Sequence, residues 1–431
     1  MSDQWSEKEK QWDFFSTGFQ HEYSPRHLHG QDGVDFQERV NFERMRAYRL
    51  GRLQWTMKKN NLGALLLNIG DNIRYATGTW DYAWKGNNNS RYAIVFQEKA
   101  PVFFDTVGMD SQVTQLYCPW IKDRLHPAIT YRYAAKGFDP VCRRYWDQIK
   151  SVCKENGVDV TKEKLGIDGI DIGGFVIGKD MGINVIPAGQ AINEARYAKN
   201  ADELELLKMA CAIGDIAYWK AKYEIVKPGL REREVLGQVI AVLYELGCQH
   251  CWGTNVASGG NTNPYIRAFT DKLIRPGDMV TLDLNSNHYY GYVQDLCRSW
   301  VVAAKMTQKQ KEVYKRCYDL LQNSLIKIKA GATTADIAKT WPEYYDDKYK
   351  TCSLVQFAHT IGQGLYEGFW VSKGFSIDYP EVLEENMYMA VETWAGDPGE
   401  DFSVRLEQNL VVTKTGYVIY SLFPFEEEAI G

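Results

Sequence analysis

The chain has 431 residues, of which 45% are hydrophobic and 24% are charged, as in ordinary globular proteins. The net charge is −5, without a long basic run, and no apolar segment approaches the roughly 20 residues that span a bilayer. These features argue against a nucleic-acid partner and against a membrane protein. The polar start of the chain predicts a cytoplasmic location, and the length predicts two domains or one large domain with an extra lobe.

Residues 1–34 are polar and aromatic, and we expect an extension that packs on the body or on a partner subunit. The following segment predicts an α/β domain over residues 35–198. Its signals are helical periodicity over 35–60 and 138–156, and apolar strands at 63–68, 92–96, 102–105 and 164–168. The glycine-rich run 166–174 lacks the G-x-G-x-x-G order, so no dinucleotide site is expected there.

An aromatic loop, Trp80-Asp-Tyr82-Ala-Trp84, lies between two of these strands. One interpretation is a loop anchored by its tryptophans. The other is the wall of a substrate pocket, since loops on a rigid scaffold often carry such contacts and aromatic rings attract methylated cations.

The second domain is expected over residues 199–431. Asn200 with Glu203 has the pattern of a capping box at the start of a helix, and Thr307 with Gln310 repeats it. Helices are predicted at 201 onward, 231–246, 308–330 and 334–348, and strands at 279–286, 290–304, 353–359, 386–393, 402–413 and 417–421. Helices on one side of a curved antiparallel sheet predict an α+β domain.

Nine cysteines are scattered through the chain, which favours reduced thiols. Cys248-Gln-His-Cys251 lacks the second ligand pair of a structural zinc site, so a structural role is expected for both cysteines.

Two aspartates mark the candidate site. In the strand that starts at Thr281, alternation places Leu282 and Leu284 toward the core and Asp283 on the other face. Asp295 returns on the next strand of a predicted hairpin or bulged pair. Two carboxylates brought together repel each other, and a shared cation is one remedy. The alternative is two solvated aspartates near a turn.

Three later residues favour the cation. His359 ends an apolar strand, and Glu392 lies inside another, where an unpaired carboxylate would be costly. In the strand around Glu407, Phe402, Val404 and Leu406 alternate with Arg405, Glu407 and Asn409. Four carboxylates and one histidine on predicted strands indicate a site for one or two divalent cations.

The order Asp, Asp, His, Glu, Glu, with Asp-Leu-Cys-Arg at residues 295–298 and Arg-Leu-Glu at 405–407, resembles the M24 metallopeptidase and creatinase superfamily. Within it, the chain is most similar to the dimethylsulfoniopropionate lyase branch. The resemblance runs over most of the chain after about residue 45. It implies a creatinase-like N-terminal domain, a "pita-bread" catalytic domain, two metal ions (iron, manganese, zinc or cobalt) and a homodimer.

The resemblance also implies roles for individual residues. Asp295 and Glu407 would bridge the two ions, Asp283 would bind one of them, and His359 with Glu392 would bind the other. Asn285 stands where the lyases have an extra aspartate, and it is expected to add a weak ligand or a hydrogen bond. Trp84 matches the active-site tryptophan of the lyases, with Trp80 or Tyr82 beside it.

The chain departs from both branches at the reacting groups. The M24 peptidases have two histidines that handle the peptide, and at these positions the chain has the neighbourhood of Tyr265 and Tyr366. The catalytic base of the lyases aligns with Tyr366, and Glu367 is the next candidate. Three functions compete: a lyase acting on a small zwitterionic onium carboxylate, a C–N hydrolase such as an Xaa-Pro dipeptidase or a creatinase-like enzyme, and a binding protein without catalysis.

Overall fold

The computed structural model describes residues 40–79, 90–106, 109–251, 253–265, 268–342 and 356–431. They fall into two compact units, one ending at Arg196 and the other starting at Tyr197. The predicted extension 1–34 and the aromatic loop with Trp80, Tyr82 and Trp84 lie outside the described residues. Within the described part of the chain, no helix is both long and apolar enough to cross a membrane.

The described strands of the first unit form one mixed sheet with strand order β4-β3-β2-β1-β5-β6. Strand β1 runs parallel to β5 and antiparallel to β2. The helices are α1 (Phe42–Lys59), α2 (Gly70–Thr77), α3 (Met109–Tyr117), α4 (Phe138–Glu155), α5 (Ile172–Asp180) and α6 (Gly189–Arg196). The strands are β1 (Leu62–Leu67), β2 (Tyr92–Phe96), β3 (Val102–Asp105), β4 (Leu125–Pro127), β5 (Lys164–Ile167) and β6 (Val185–Pro187).

The apolar run of β1 is buried on both faces of this sheet. Leu65 and Leu67 belong to a core with Leu53 of α1, whereas Leu66 belongs to a second core with Trp146 of α4. Successive side chains of a strand point to opposite faces, so a continuous apolar strand requires a layer of helices on each side. The predicted α/β class of the first domain is confirmed.

In the described residues of the second unit, the strands form two hydrogen-bonded sheets. One has the order β10-β9-β7, with β8 also paired to β9, and the other is β12-β11-β13-β14-β15. The helices are α7 (Ala201–Lys220), α8 (Glu232–Glu245), α9 (Gln308–Leu325), α10 (Thr334–Ala338) and α11 (Glu427–Ile430). The strands are β7 (His250–Cys251), β8 (Asn255–Ser258), β9 (Met279–Tyr289), β10 (Tyr292–Val301), β11 (Ala358–Thr360), β12 (Trp370–Val371), β13 (Tyr388–Gly396), β14 (Ser403–Val412) and β15 (Tyr417–Ile419).

Both predicted capping boxes are present, at Asn200 for α7 and at Thr307 for α9. Two helix ends were predicted wrongly. Helix α9 stops at Leu325, where the chain turns. The N–H of Ala330 then donates to the carbonyl of Thr413, just after β14, at 2.9 Å and not to a carbonyl of the helix. The helix predicted over 334–348 stops at Ala338, shortly before Trp341-Pro342, because a proline disfavours the helical conformation of the residue before it. Residues 343–348 of that prediction lie outside the described residues.

The alternation predicted for β14 is confirmed. Val404 and Leu406 lie in a core cluster with residues of α9 such as Tyr314 and Leu321. Arg405, Glu407 and Asn409 therefore occupy the opposite face of the strand. The prediction of a single sheet for all five ligands was wrong, since Asp283 and Asp295 lie on one sheet and His359, Glu392 and Glu407 on the other.

Candidate metal centre

Strands β9 and β10 form the predicted bulged hairpin. Asp283 lies opposite Cys297, and Asp295 lies opposite Asn285, with a register shift between Gln294 and Asp295. An extra residue in one strand of a pair re-aims the side chains beside it. The bulge thus sets the direction of Asp295, and Asn285 is its direct cross-strand neighbour.

On the second sheet, Glu392 of β13 lies directly opposite Glu407 of β14. His359 lies on the neighbouring strand β11, opposite Ala390. Like charges directly opposite each other destabilise a strand pair. Both glutamates are buried, so this repulsion is not screened by solvent.

The two sheets bring their acidic side chains together at one point. Ligand atoms of Asp295, His359 and Glu407 all lie within 4.8 Å of one another. His359 Nε2 is 3.2 Å from Asp295 Oδ2 and 3.7 Å from Glu392 Oε1. In the described part of the chain, this is the group of three acidic, histidine or cysteine side chains with the spacing of a metal site.

Asp283 is connected to this group through Arg405. Nη2 of Arg405 donates to Glu392 Oε2, and its Nη1 lies 3.9 Å from Asp283 Oδ2. The hydroxyl of Tyr265 donates to Asp283 Oδ2 at 3.3 Å, and the guanidinium carbon of Arg405 lies 5.1 Å from the centre of the Tyr265 ring. Sequence reasoning assigned no role to Arg405, although its place between two predicted core residues was a signal.

The buried carboxylates are short of compensation. Among the described residues, neither carboxylate oxygen of Glu407 nor Oδ1 of Asp295 has a hydrogen-bond partner. Burial, and then the charges of Asp295 and Glu392, raise the pKa of Glu407 well above its usual range. Burial alone would lower the pKa of His359, but its hydrogen bond to Asp295 and the nearby carboxylates raise it. A divalent cation relieves such a site, and this donor set fits one.

Side chains join the two sheets next to the ligands. The side-chain amide of Asn409 on β14 accepts from the N–H of Asp295 at 3.1 Å and donates to the carbonyl of the same residue. Ser299 Oγ on β10 accepts from the N–H of Arg405 and donates to its carbonyl, both at 3.0 Å. These side chains connect the two strands by hydrogen bonds, as a backbone ladder does within a sheet. They were not predicted from the sequence.

The two proposed bases lie in different surroundings. Tyr366 is 46% exposed, and its ring centre lies 4.9 Å from that of His359 and 5.1 Å from that of Trp370. Glu367 is buried, and its Oε1 accepts from Lys199 Nζ at 2.6 Å. An ion-paired, buried carboxylate favours a structural role over that of a base.

A histidine pair and a cysteine pair also lie in the second unit. His250 and His288 face each other across β7 and β9, with ring centres 5.7 Å apart. Cys248 and Cys251 are buried free thiols. Neither pair belongs to a ligand group of three in the described residues.

Two family models match the chain. The model for metallopeptidase family M24 matches residues 205–414, and the creatinase/prolidase N-terminal domain matches residues 49–175. The first match contains all five predicted metal ligands. This chain is an M24-family metalloenzyme. The creatinase-like and pita-bread domains predicted from the sequence are confirmed, and M24 enzymes use divalent metal ions.

The relatives of this M24 protein include dimethylsulfoniopropionate lyases and peptidases. The dimethylsulfoniopropionate lyase DddP of Roseovarius nubinhibens is 23% identical over 91% of this chain and 89% of its own length. An Xaa-Pro dipeptidase of Pyrococcus horikoshii is 30% identical, over 52% of this chain and 62% of its own. The solved Xaa-Pro dipeptidase from Bacillus anthracis has a TM-score of 0.70 at 21% identity, covering 88% of this chain and 98% of that one. The last match shows the fold.

Proposed function

We propose that this M24 protein is a metal-dependent lyase that cleaves a small onium carboxylate, such as dimethylsulfoniopropionate, by β-elimination. One observation carries the proposal. The two neighbourhoods where the sequence departs from the M24 peptidases hold Tyr265 and Tyr366, and these phenols lie beside Asp283 and His359, respectively. Similarity to the lyase of Roseovarius nubinhibens over 91% of the chain supports it.

The leaving group explains why this observation matters. Hydrolysis of an amide requires an acid that protonates the departing nitrogen, a task that histidines often perform. A sulfonium group departs as a neutral sulfide and needs no such acid. Within the described residues, the histidine at this site is His359, and it belongs to the ligand cluster. The described part of the site has no spare histidine, which suits elimination better than peptide hydrolysis.

Asp283, Asp295, His359, Glu392 and Glu407 would hold one or two divalent ions, with Asn285 as a weaker ligand or hydrogen-bond partner. When bound, the ions supply a positive charge that holds the substrate carboxylate and stabilises negative charge developing next to it. The donor set accommodates iron, manganese, cobalt or zinc.

Tyr366 is the proposed base. A phenol near a dication loses its proton more readily than one in water, because the charge favours the phenolate. The phenolate takes the proton from the carbon beside the substrate carboxylate. That C–H electron pair forms the new C=C bond, and the C–S electrons leave with the sulfide. The products are an unsaturated carboxylate and a neutral sulfide.

The cationic end of the substrate is proposed to contact Trp84, with Trp80 or Tyr82, outside the described residues. Cation–π attraction is worth about 0.5 to 2 kcal/mol depending on desolvation. Trp84→Ala should therefore raise KM for a cationic substrate more than for a neutral analogue, and equal effects would argue against this contact.

We also propose that the protein is a homodimer located in the cytoplasm. Size-exclusion chromatography with light scattering tests the dimer, and cell fractionation tests the location.

The decisive experiment supplies the purified, metal-loaded enzyme with onium carboxylates and, separately, with dipeptides. Headspace analysis detects a volatile sulfide, and proton NMR detects the unsaturated acid. Tyr366→Phe should lower kcat by about 10²- to 10⁴-fold, the usual contribution of a general base, with unchanged metal content. Tyr379→Phe is the matched control, since Tyr379 is 77% exposed and belongs to the same unit. A Tyr366→Phe enzyme that keeps most of its kcat would eliminate this base.

The second candidate is an Xaa-Pro dipeptidase. The 30% identity with the enzyme from Pyrococcus horikoshii, which extends over 52% of this chain, favours this second candidate. Proline released from Xaa-Pro dipeptides, without sulfide from any onium carboxylate, would establish this alternative and refute the lyase.

A further inference from the structure

The turn that follows His359 is built around a buried ion pair. It runs from Thr360 at the end of β11 to Gly368 before β12, and it carries Tyr366 and Glu367. Lys199 Nζ donates to Glu367 Oε1 at 2.6 Å, and the two side chains are 1% and 2% exposed. The two residues lie 168 positions apart in the chain.

The Glu367 carboxylate fills the inside of this turn. Its second oxygen, Oε2, accepts from the backbone N–H groups of Gln363 at 3.2 Å and Gly364 at 3.4 Å. The Glu367 N–H donates to the carbonyl of Thr360 at 3.2 Å, and the Thr360 hydroxyl donates to the carbonyl of Glu367. Both ends of the turn are thereby held by one residue.

The glycine at 362 makes room for this carboxylate. A Cβ on Gly362 would lie 1.6 Å from Glu367 Oε1, which no side chain permits. The fit between the glycine and the carboxylate fixes the path of the backbone on both sides of it.

The turn is also tied to both sheets. The carbonyl of Gly362 accepts from the N–H of Val293 on β10 at 2.7 Å, and the N–H of Ile361 donates to the carbonyl of Tyr388 on β13 at 3.1 Å. Tyr366 directly precedes Glu367, so the position of its ring against His359 follows from the anchoring of its neighbour.

We infer that Lys199 and Glu367 are positioning residues that hold Tyr366 against His359 for the reaction, an inference that rests on the role proposed above for Tyr366. A buried ion pair is rarely more stable than well-packed neutral side chains of similar size, so stability alone does not account for it. The pair instead gives the turn one defined conformation. Glu367 therefore contributes to the reaction by positioning Tyr366, and it is not itself the base.

The test uses Lys199→Met, Glu367→Gln and the double variant, in the full-length metal-loaded enzyme. The single variants leave one buried charge unpaired and can lose stability, whereas the double variant is neutral and serves where they fail to fold. Displacement of a reacting group by about 1 Å costs up to roughly 10²-fold in rate. We expect the double variant to lose about 10- to 100-fold in kcat, with little change in KM and full metal content. Lys222→Met, which removes a partly buried ion pair with Glu426, is the matched control and should change none of these values.

Hydrogen–deuterium exchange of the 360–368 segment separates this inference from the proposed function. Exchange at Gln363 and Gly364 should be faster in the double variant, whatever the reaction is. Adding Glu367→Gln to Tyr366→Phe should cause no further loss of kcat, because the pair acts through Tyr366. Wild-type exchange and kcat in the double variant, or a fully additive loss in the combined variant, would overturn the inference. Faster exchange together with a fully active Tyr366→Phe enzyme would show that Tyr366 is not the base. It would thereby also refute the role of Lys199 and Glu367 in positioning Tyr366.

Discussion

Replacement of Arg405 by methionine should make the stability of this protein depend strongly on metal. In the described site without an ion, Arg405 is a cationic partner of both Asp283 and Glu392. Removal of one partner from a buried ion pair costs about 3–5 kcal/mol. With an ion bound, the carboxylates are already neutralised, and the loss should approach that of one charge-assisted hydrogen bond, roughly 1.5–3 kcal/mol.

The assay is urea unfolding of wild type and Arg405→Met, each with chelator and with saturating manganese or zinc. The difference between the two proteins should be larger in chelator by about 2 kcal/mol, from the midpoints of the two ranges above. Arg233→Met is the matched control, because Arg233 forms an exposed ion pair with Asp271, and no measurable change is expected in either condition. An Arg405→Met protein destabilised equally with and without metal would refute the electrostatic reasoning.

Three further predictions concern the ligands, a supporting phenol and an acid of the first unit. Asp295→Ala should lower the bound metal of the isolated protein from more than one equivalent to less, by elemental analysis; undiminished metal together with full activity in chelator would contradict the site. Tyr265→Phe removes the hydrogen bond to Asp283 and should weaken metal binding about 10-fold by calorimetry, the usual effect of such supporting partners; an unchanged Kd would contradict it. Burial raises the pKa of Asp168 to about 6, so the folded state holds this proton more tightly than the unfolded chain. The contribution of this carboxyl to the free energy of unfolding should therefore fall, by at most about 3 kcal/mol, as pH rises from 4 to 6. Asp168→Asn should remove this slope, and a slope that persists would assign it to other groups.

Local patterns were sufficient to predict much of the metal-binding domain. Alternation in β14 separated Leu406, which is buried in the core, from Glu407, which reaches the ligand cluster. The capping box at Asn200 placed the start of α7 at the correct residue. Both signals depend on neighbours within a few positions, where backbone geometry decides which groups can meet.

Other features depend on contacts between distant parts of the chain. Which strands share a sheet is set by pairing across long loops, so the split of the ligands between two sheets had no local signal. The same holds for Lys199 with Glu367 and for Asn409 with Asp295, which lie 168 and 114 positions apart. The polar side chain of Asn409 on the ligand face of β14 indicated a hydrogen bond near the site. Its partner could only be identified from the three-dimensional structure.

The division of the ligands between two sheets has a further consequence. Strands β10 and β14 are joined by side chains such as Asn409 and Ser299, and in the described residues they share no strand ladder. An ion held by Asp295 on one side and Glu407 on the other would cross-link two ladders. Its binding free energy would then strengthen that one boundary directly. Chelation should accordingly weaken the contact between the two sheets, whereas the hydrogen bonds within each sheet should remain.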